Sequence, residues 1–198
     1  MRATVRLSIL ILLLSATASV AQSPYFPAGS FDDSSRVGPF LSETRSKYLE
    51  ALEEPSLWSL SKSEKEQSYR FLWLRTFHRP IAVRVDVNAD GTSRLTIKMT
   101  TGAGGYAAGQ LARSDTYALT REKTTWFLGK IEENKFWELP TVDRSRMGTD
   151  GAAWVIEGVK DGRYHIVDRW SPDNGPVRVI GLLMLQKLAK LKIPGPIY

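Results

Sequence analysis

Between residues 81 and 99 apolar and polar side chains alternate with a period of two: Ile81, Val83, Val85 and Val87 against Ala82, Arg84, Asp86 and Asn88, then Leu95, Ile97 and Met99 after a turn. A helix would scatter these apolar groups around its surface, whereas a strand gathers them on one face, so the segment reads as a β-hairpin with one buried and one wet face. Asn88-Ala89-Asp90-Gly91 suits a type I turn with Gly91 in the left-handed conformation, a three-residue loop that pairs Asn88 with Thr92. That register sets Val85 opposite Leu95, Val83 opposite Ile97, and Asp86 opposite Arg94 as a cross-strand ion pair worth under about 1 kcal/mol.

The rest of the chain supplies more strands and a few helices. Residues 152–159 and 163–170 form a second hairpin around Lys160-Asp161-Gly162, with Asp-Gly providing the left-handed turn. The aromatic and aliphatic run 69–75 reads as a buried strand, with a helix as the alternative, and 110–119 as another strand. Helices are expected from Ser42 to a stop at Pro55, with Tyr48, Leu49 and Leu52 on one face, and from the N-cap Thr120 to about Asn134, carrying Trp126, Phe127 and Ile131. Two overlapping capping boxes, Ser61 with Glu64 and Ser63 with Glu66, predict a further turn of helix before Tyr69. Residues 136–140 anchor the exit from the Thr120 helix, and 141–151 form a polar loop. Asn174 and Pro176 start a last helix over roughly 177–191. Hairpins followed by helices define an α+β class: an antiparallel sheet of about 4–6 strands, with helices packed on one face.

Residues 1–21 have the order of a secretory signal peptide: Arg2 and Arg6, an aliphatic core from Leu7 to Leu14, then small residues ending at Ser19-Val20-Ala21. The apolar core is far shorter than the roughly 20 residues of a membrane span, so cleavage without a remaining anchor is expected. Removing residues 1–21 of the 198 leaves 177, enough for one domain. Residues 22–41 read as an extended arm draped over a single domain, 42–198. Zero cysteines exclude a disulfide framework, thiol catalysis and a cysteine zinc site, and no Asn-x-Ser/Thr acceptor occurs. The expected location is periplasmic or extracellular.

Charge is unevenly spread. Residues 22–66 hold 5 Lys+Arg against 8 Asp+Glu, while residues 67–198 hold 20 against 13. A basic C-terminal portion favours anionic partners, and Arg84, Arg94 and Lys98 on the wet face of the first hairpin are the binding candidates. The densest basic group, Lys187, Lys190 and Lys192, falls near a helix end, where the helix dipole favours cations in any case.

For catalysis the candidates are Glu157, His165 and Asp168. Glu157 interrupts the apolar run Ala153-Trp154-Val155-Ile156, and a carboxylate in such surroundings is raised in pKa unless paired, which suits a general acid. The structural alternative is an ion pair with Arg79, Arg84 or Arg169. A two-residue turn at Asp161-Gly162 puts Glu157 opposite Ile166 and on the face of Asp168, with His165 on the other. Gly102-x-Gly104-x-x-Ala107, with Glu122 further on, has a dinucleotide-like spacing but lacks the parallel βαβ context, so it reads as a loop in which the backbone turns closely under Tyr106. Ser59-x-x-Lys62 lacks the partner motifs of serine-lysine enzymes. The two histidines, His78 and His165, have no ligand partner at helical spacing, so no metal and no cofactor is expected. Trp73, Trp126, Trp137, Trp154 and Trp170 read as core rather than as a carbohydrate platform, a reading that two of them exposed together would reverse.

The block from Trp154-Val155-Ile156-Glu157-Gly158 through Gly162-Arg163-Tyr164-His165 to Asp168-Arg169-Trp170-Ser171-Pro172, preceded by residues 69–80 and 136–140, resembles segments of exported bacterial proteins of unknown function over roughly residues 68–185. The resemblance implies a bacterial exported domain and carries over no functional residue. The sequence holds no nucleophile-base-orienter constellation, so the expected role is non-catalytic: binding a protein or an anionic polymer of the cell envelope, or supporting envelope structure. The alternatives are a small hydrolase using Glu157, Asp168 and His165, and an electrostatic binder of anionic polymer.

Overall fold

The computed structural model describes residues 24–31, 36–63, 65–143, 148–193 and 195–198; the expected leader and Glu64 of the first capping box lie outside them. Six strands, β1 (Ser68–Arg75), β2 (Ile81–Val87), β3 (Ser93–Thr100), β4 (Leu111–Leu119), β5 (Ala152–Lys160) and β6 (Arg163–Trp170), form one antiparallel sheet in the order β4-β3-β2-β1-β5-β6. The α+β class is as expected. Both hairpins have the predicted registers. Val85 faces Leu95, Val83 faces Ile97 and Asp86 faces Arg94, and the Asn88 N–H donates to the Thr92 carbonyl at 2.8 Å, with Gly91 at φ 82°. Glu157 faces Ile166 across a turn in which Asp161 and Gly162 both have positive φ, 51° and 72°.

β1 lies between β2 and β5, and all eight of its residues are buried. That is why it reads as a nearly continuous apolar run: both faces of a central strand are covered. Tyr69, Phe71 and Trp73 face a core built with Trp154 and Ile156 of β5 and with three helical segments. These are α3 (Arg121–Glu133), a short 3₁₀ turn at Phe136–Glu138, and α4 (Gly175–Leu182), which continues as a π-helical stretch, Leu183–Leu188. The Thr120 hydroxyl accepts the Lys123 N–H at 3.3 Å, so the N-cap read from sequence is in place. Gly181 lets α4 lie directly on the sheet, because a Cβ there would stand 2.5 Å from Cζ3 of Trp154.

The opposite face is covered as well. Leu72, Leu74, Ala82, Ala153, Val155 and Ile166 pack against Tyr48, Leu49 and Leu52 of α1 (Val37–Ala51) and against Tyr25, Phe26 and Phe31 of the N-terminal arm. The first hairpin therefore has no wet face at Arg84, which is 9 % exposed. α1 begins at Val37, inside the segment expected to be extended. Its first turn holds Gly38 and Pro39, and a proline in a first turn removes no intrahelical bond. The next turn of helix, α2 (Leu57–Leu60), precedes the expected capping boxes and is capped by Ser56, whose Oγ accepts the Ser59 N–H at 3.1 Å. No helix among the described residues is long and apolar enough to cross a membrane.

Candidate functional site

Pairing of β1 with β2 and β5 brings the inward polar residues of three strands into one row, Arg84, Arg70, Glu157, continued by Thr96 on β3 and Ile166 on β6. Arg70 Nε donates to Glu157 Oε2 at 2.8 Å and its Nη2 to the same oxygen, while the Tyr164 hydroxyl donates to Oε1 at 2.8 Å. Glu54, just beyond α1, reaches down onto the row: it accepts from Arg84 Nε at 2.8 Å and stands 3.4 Å from both Arg70 Nη1 and Lys98 Nζ. Arg84 also pairs with Asp86, which accepts from the Ser68 hydroxyl at 2.8 Å and from Arg94 Nη2 at 3.2 Å. Burial raises the Glu157 carboxyl above its ordinary value, with Arg70 and Tyr164 pulling it back. Burial would lower the Arg70 guanidinium, but the charges of Glu157 and Glu54 outweigh it and leave it raised. Tyr164 is raised well above its ordinary value by burial and by the Glu157 charge.

This network uses up most of the residues singled out from the sequence. The Glu157 partner is Arg70, not Arg79, Arg84 or Arg169. Arg84 and Lys98 are bound to carboxylates inside the fold, so of the three proposed anion-binding cations only Arg94, 60 % exposed along its side chain, reaches solvent freely. His165 stands on the other face of the sheet, its ring 5.1 Å from Phe136 and 6.2 Å from Trp137 between centroids. Burial holds its pKa below the ordinary value. Glu157 and His165 are thus not brought together. Asp168 shares the face of Glu157 but turns to α1, where it lies 3.8 Å from Arg45. Lys62 sits over the Trp58 ring, 3.3 Å from its centroid. Trp73 and Trp154 are fully buried, and Trp126, 37 % exposed, lies under Lys123.

The glycine-rich segment after β3 serves the close approach expected of it. The Gly104 N–H donates to the carbonyls of Arg75 and His78, both at 3.0 Å, and the Gly105 N–H to that of Thr76 at 3.0 Å. A Cβ on Gly104 would stand 2.5 Å from the Leu74 carbonyl carbon. This contact makes a wall with a cleft on each side. One cleft, of about 720 Å³, lies between the β1–β2 turn, the starts of the glycine segment and β4, and the end of the C-terminal helix. Arg75, His78, Arg79, Arg113, Lys190 and Lys192 line it, and its lining includes no aspartate or glutamate among the described residues. Arg113 is paired with Asp115 outside the lining. Burial, and then the Arg75 charge, hold the His78 imidazole below its ordinary pKa. These cations come from three separate stretches of chain, so no local motif announces them. The one sequence signal is the group Lys187, Lys190 and Lys192, which also suits a helix end and of which the last two line the cleft.

The other cleft, of about 690 Å³, lies between α1, the glycine segment and the end of β6, and contains Arg45 and Asp168. Comparison with known proteins found no matching family model, no matching curated protein and no matching solved structure.

Proposed function

We propose that the chain is an exported, non-catalytic binding domain that takes an anionic polymer of the cell envelope in the basic cleft. The observation that carries this reading is the lining itself: three arginines, two lysines and a histidine around one concavity with no carboxylate among them. A low-dielectric cleft lined by one sign of charge focuses its field outward and concentrates ions of the other sign. Arginine forks match phosphate and carboxylate oxygens in pairs, and hydrogen bonds to charged groups are the stronger kind. The order of residues 1–21 supports export. A non-catalytic role is supported by the engagement of Glu157 with Arg70 and Tyr164 and by its separation from His165.

Linear polyphosphate titrated into the purified protein tests the reading. Binding is expected to weaken at least about tenfold between roughly 50 and 300 mM salt, as screening removes long-range attraction. The Arg79→Ala/Lys192→Ala variant, altered at two exposed positions of the cleft, is expected to lose about tenfold or more in affinity, while Arg94→Ala stays at the wild-type value. Affinity indifferent to salt, or lost equally in Arg94→Ala, would refute it.

A further inference from the structure

The second cleft has a different chemistry. Its wall is tied to α1 by the Tyr48 hydroxyl, which donates to the carbonyls of Tyr106 at 2.7 Å and Ala103 at 3.1 Å. Phe40 and Tyr106 line it at 64 % and 66 % exposure, and Trp170 lines it from β6. Phe77 packs behind Tyr106, with ring centroids 6.1 Å apart. Large aromatic side chains left open around one concavity mark a ligand-binding surface. Between them stand a donor and acceptors: Arg45, whose side chain is 8 % exposed and whose buried Nε has no hydrogen-bond partner among the described residues, with Asp168 beside it and Asp150 at the rim.

We propose that this cleft binds a neutral oligosaccharide. A sugar ring offers a C–H face for the aromatic groups and hydroxyls that both donate and accept, which an arginine beside carboxylates can read together. The volume, about 690 Å³, lies within the range of small-ligand sites. An extended peptide would ordinarily add to the free edge of β6, but the Asp168 N–H on that edge already donates to the Thr141 carbonyl at 2.8 Å, and Val142 bridges to the same residue.

The test is calorimetric titration of the purified protein with cellotetraose, chitotetraose and maltotetraose, followed in parallel by tryptophan fluorescence. At least one is expected to bind saturably, with about tenfold loss in Tyr106→Ala and in Phe40→Ala, both exposed positions, and with no change in Arg79→Ala/Lys192→Ala. Saturable binding of none of the three, binding indifferent to Tyr106→Ala, or capture of a lysine-containing peptide in their place would each overturn it. Polyphosphate binding is measured on the same samples, so failure here leaves the reading of the basic cleft separately decided.

Discussion

Arg70 and Glu157, 87 positions apart in the chain, face each other across β1 and β5 with both side chains fully buried and Nε 2.8 Å from Oε2. Removing one partner of such a pair leaves a buried charge uncompensated. Arg70→Ala is therefore expected to cost about 3–5 kcal/mol in urea unfolding, since both Glu157 and Glu54 lose a cation. The double variant Arg70→Met/Glu157→Leu is expected to lose less than the single one, because Glu54 keeps Arg84 and Lys98. A single variant within about 1 kcal/mol of wild type would contradict a structural role for the pair.

The Glu157 carboxyl is expected to titrate above the ordinary glutamate value, because burial opposes its charge. Carbon-detected NMR is expected to give the same titration in His165→Ala, since the two side chains lie on opposite faces of the sheet. A Glu157 titration that moves with His165 would revive a coupled acid-base site.

His165 itself makes stability depend on pH. In the unfolded chain its imidazole takes up a proton near its ordinary value of about 6.5, while burial in the fold delays protonation to lower pH. The unfolded state thus binds more protons between those two values, and stability falls as pH falls through that window. Between about pH 7 and pH 5 the urea midpoint of wild type is expected to change in the destabilising direction relative to that of His165→Gln. His78, also lowered, adds a slope of the same sign and the raised Glu157 carboxyl one of the opposite sign, both common to the two proteins. Equal slopes in the two proteins would rule out His165 as the source.

Two glycine-to-alanine changes are expected to act in opposite directions. Gly181→Ala drives a methyl group against Trp154, at 2.5 Å from Cζ3, and is expected to cost about 1–3 kcal/mol by overpacking. Gly129, inside α3, has no neighbour within 4 Å of the place a Cβ would occupy, so Gly129→Ala is expected to gain about 0.5–1 kcal/mol from helix propensity. Thermal unfolding of both variants checks the signs.

What could be read from sequence was local. Alternation at 81–99 with a glycine at position 91, and Asp161-Gly162 between two apolar runs, specify strand partners a few residues apart, so both registers were legible. Thr120 before an amphipathic run marked the start of α3, because a cap acts within one turn. Pairings set by distant segments were not legible. Nothing near Glu157 names Arg70, because only the insertion of β1 beside β5 joins them. Arg84 and Lys98 read as solvent-facing until Glu54 and α1 close over them. The basic cleft likewise exists only once the β1–β2 turn, the glycine segment, β4 and the C-terminal helix meet.

The chain's two histidines allow a direct test of the anion cleft, because His78 lines it and His165 packs on Phe136 and Trp137 away from it. In NMR spectra recorded during titration with linear polyphosphate, the His78 imidazole resonances are expected to shift saturably while those of His165 stay fixed. A fixed His78, or equal movement of both imidazoles, would contradict binding of the anion in this cleft.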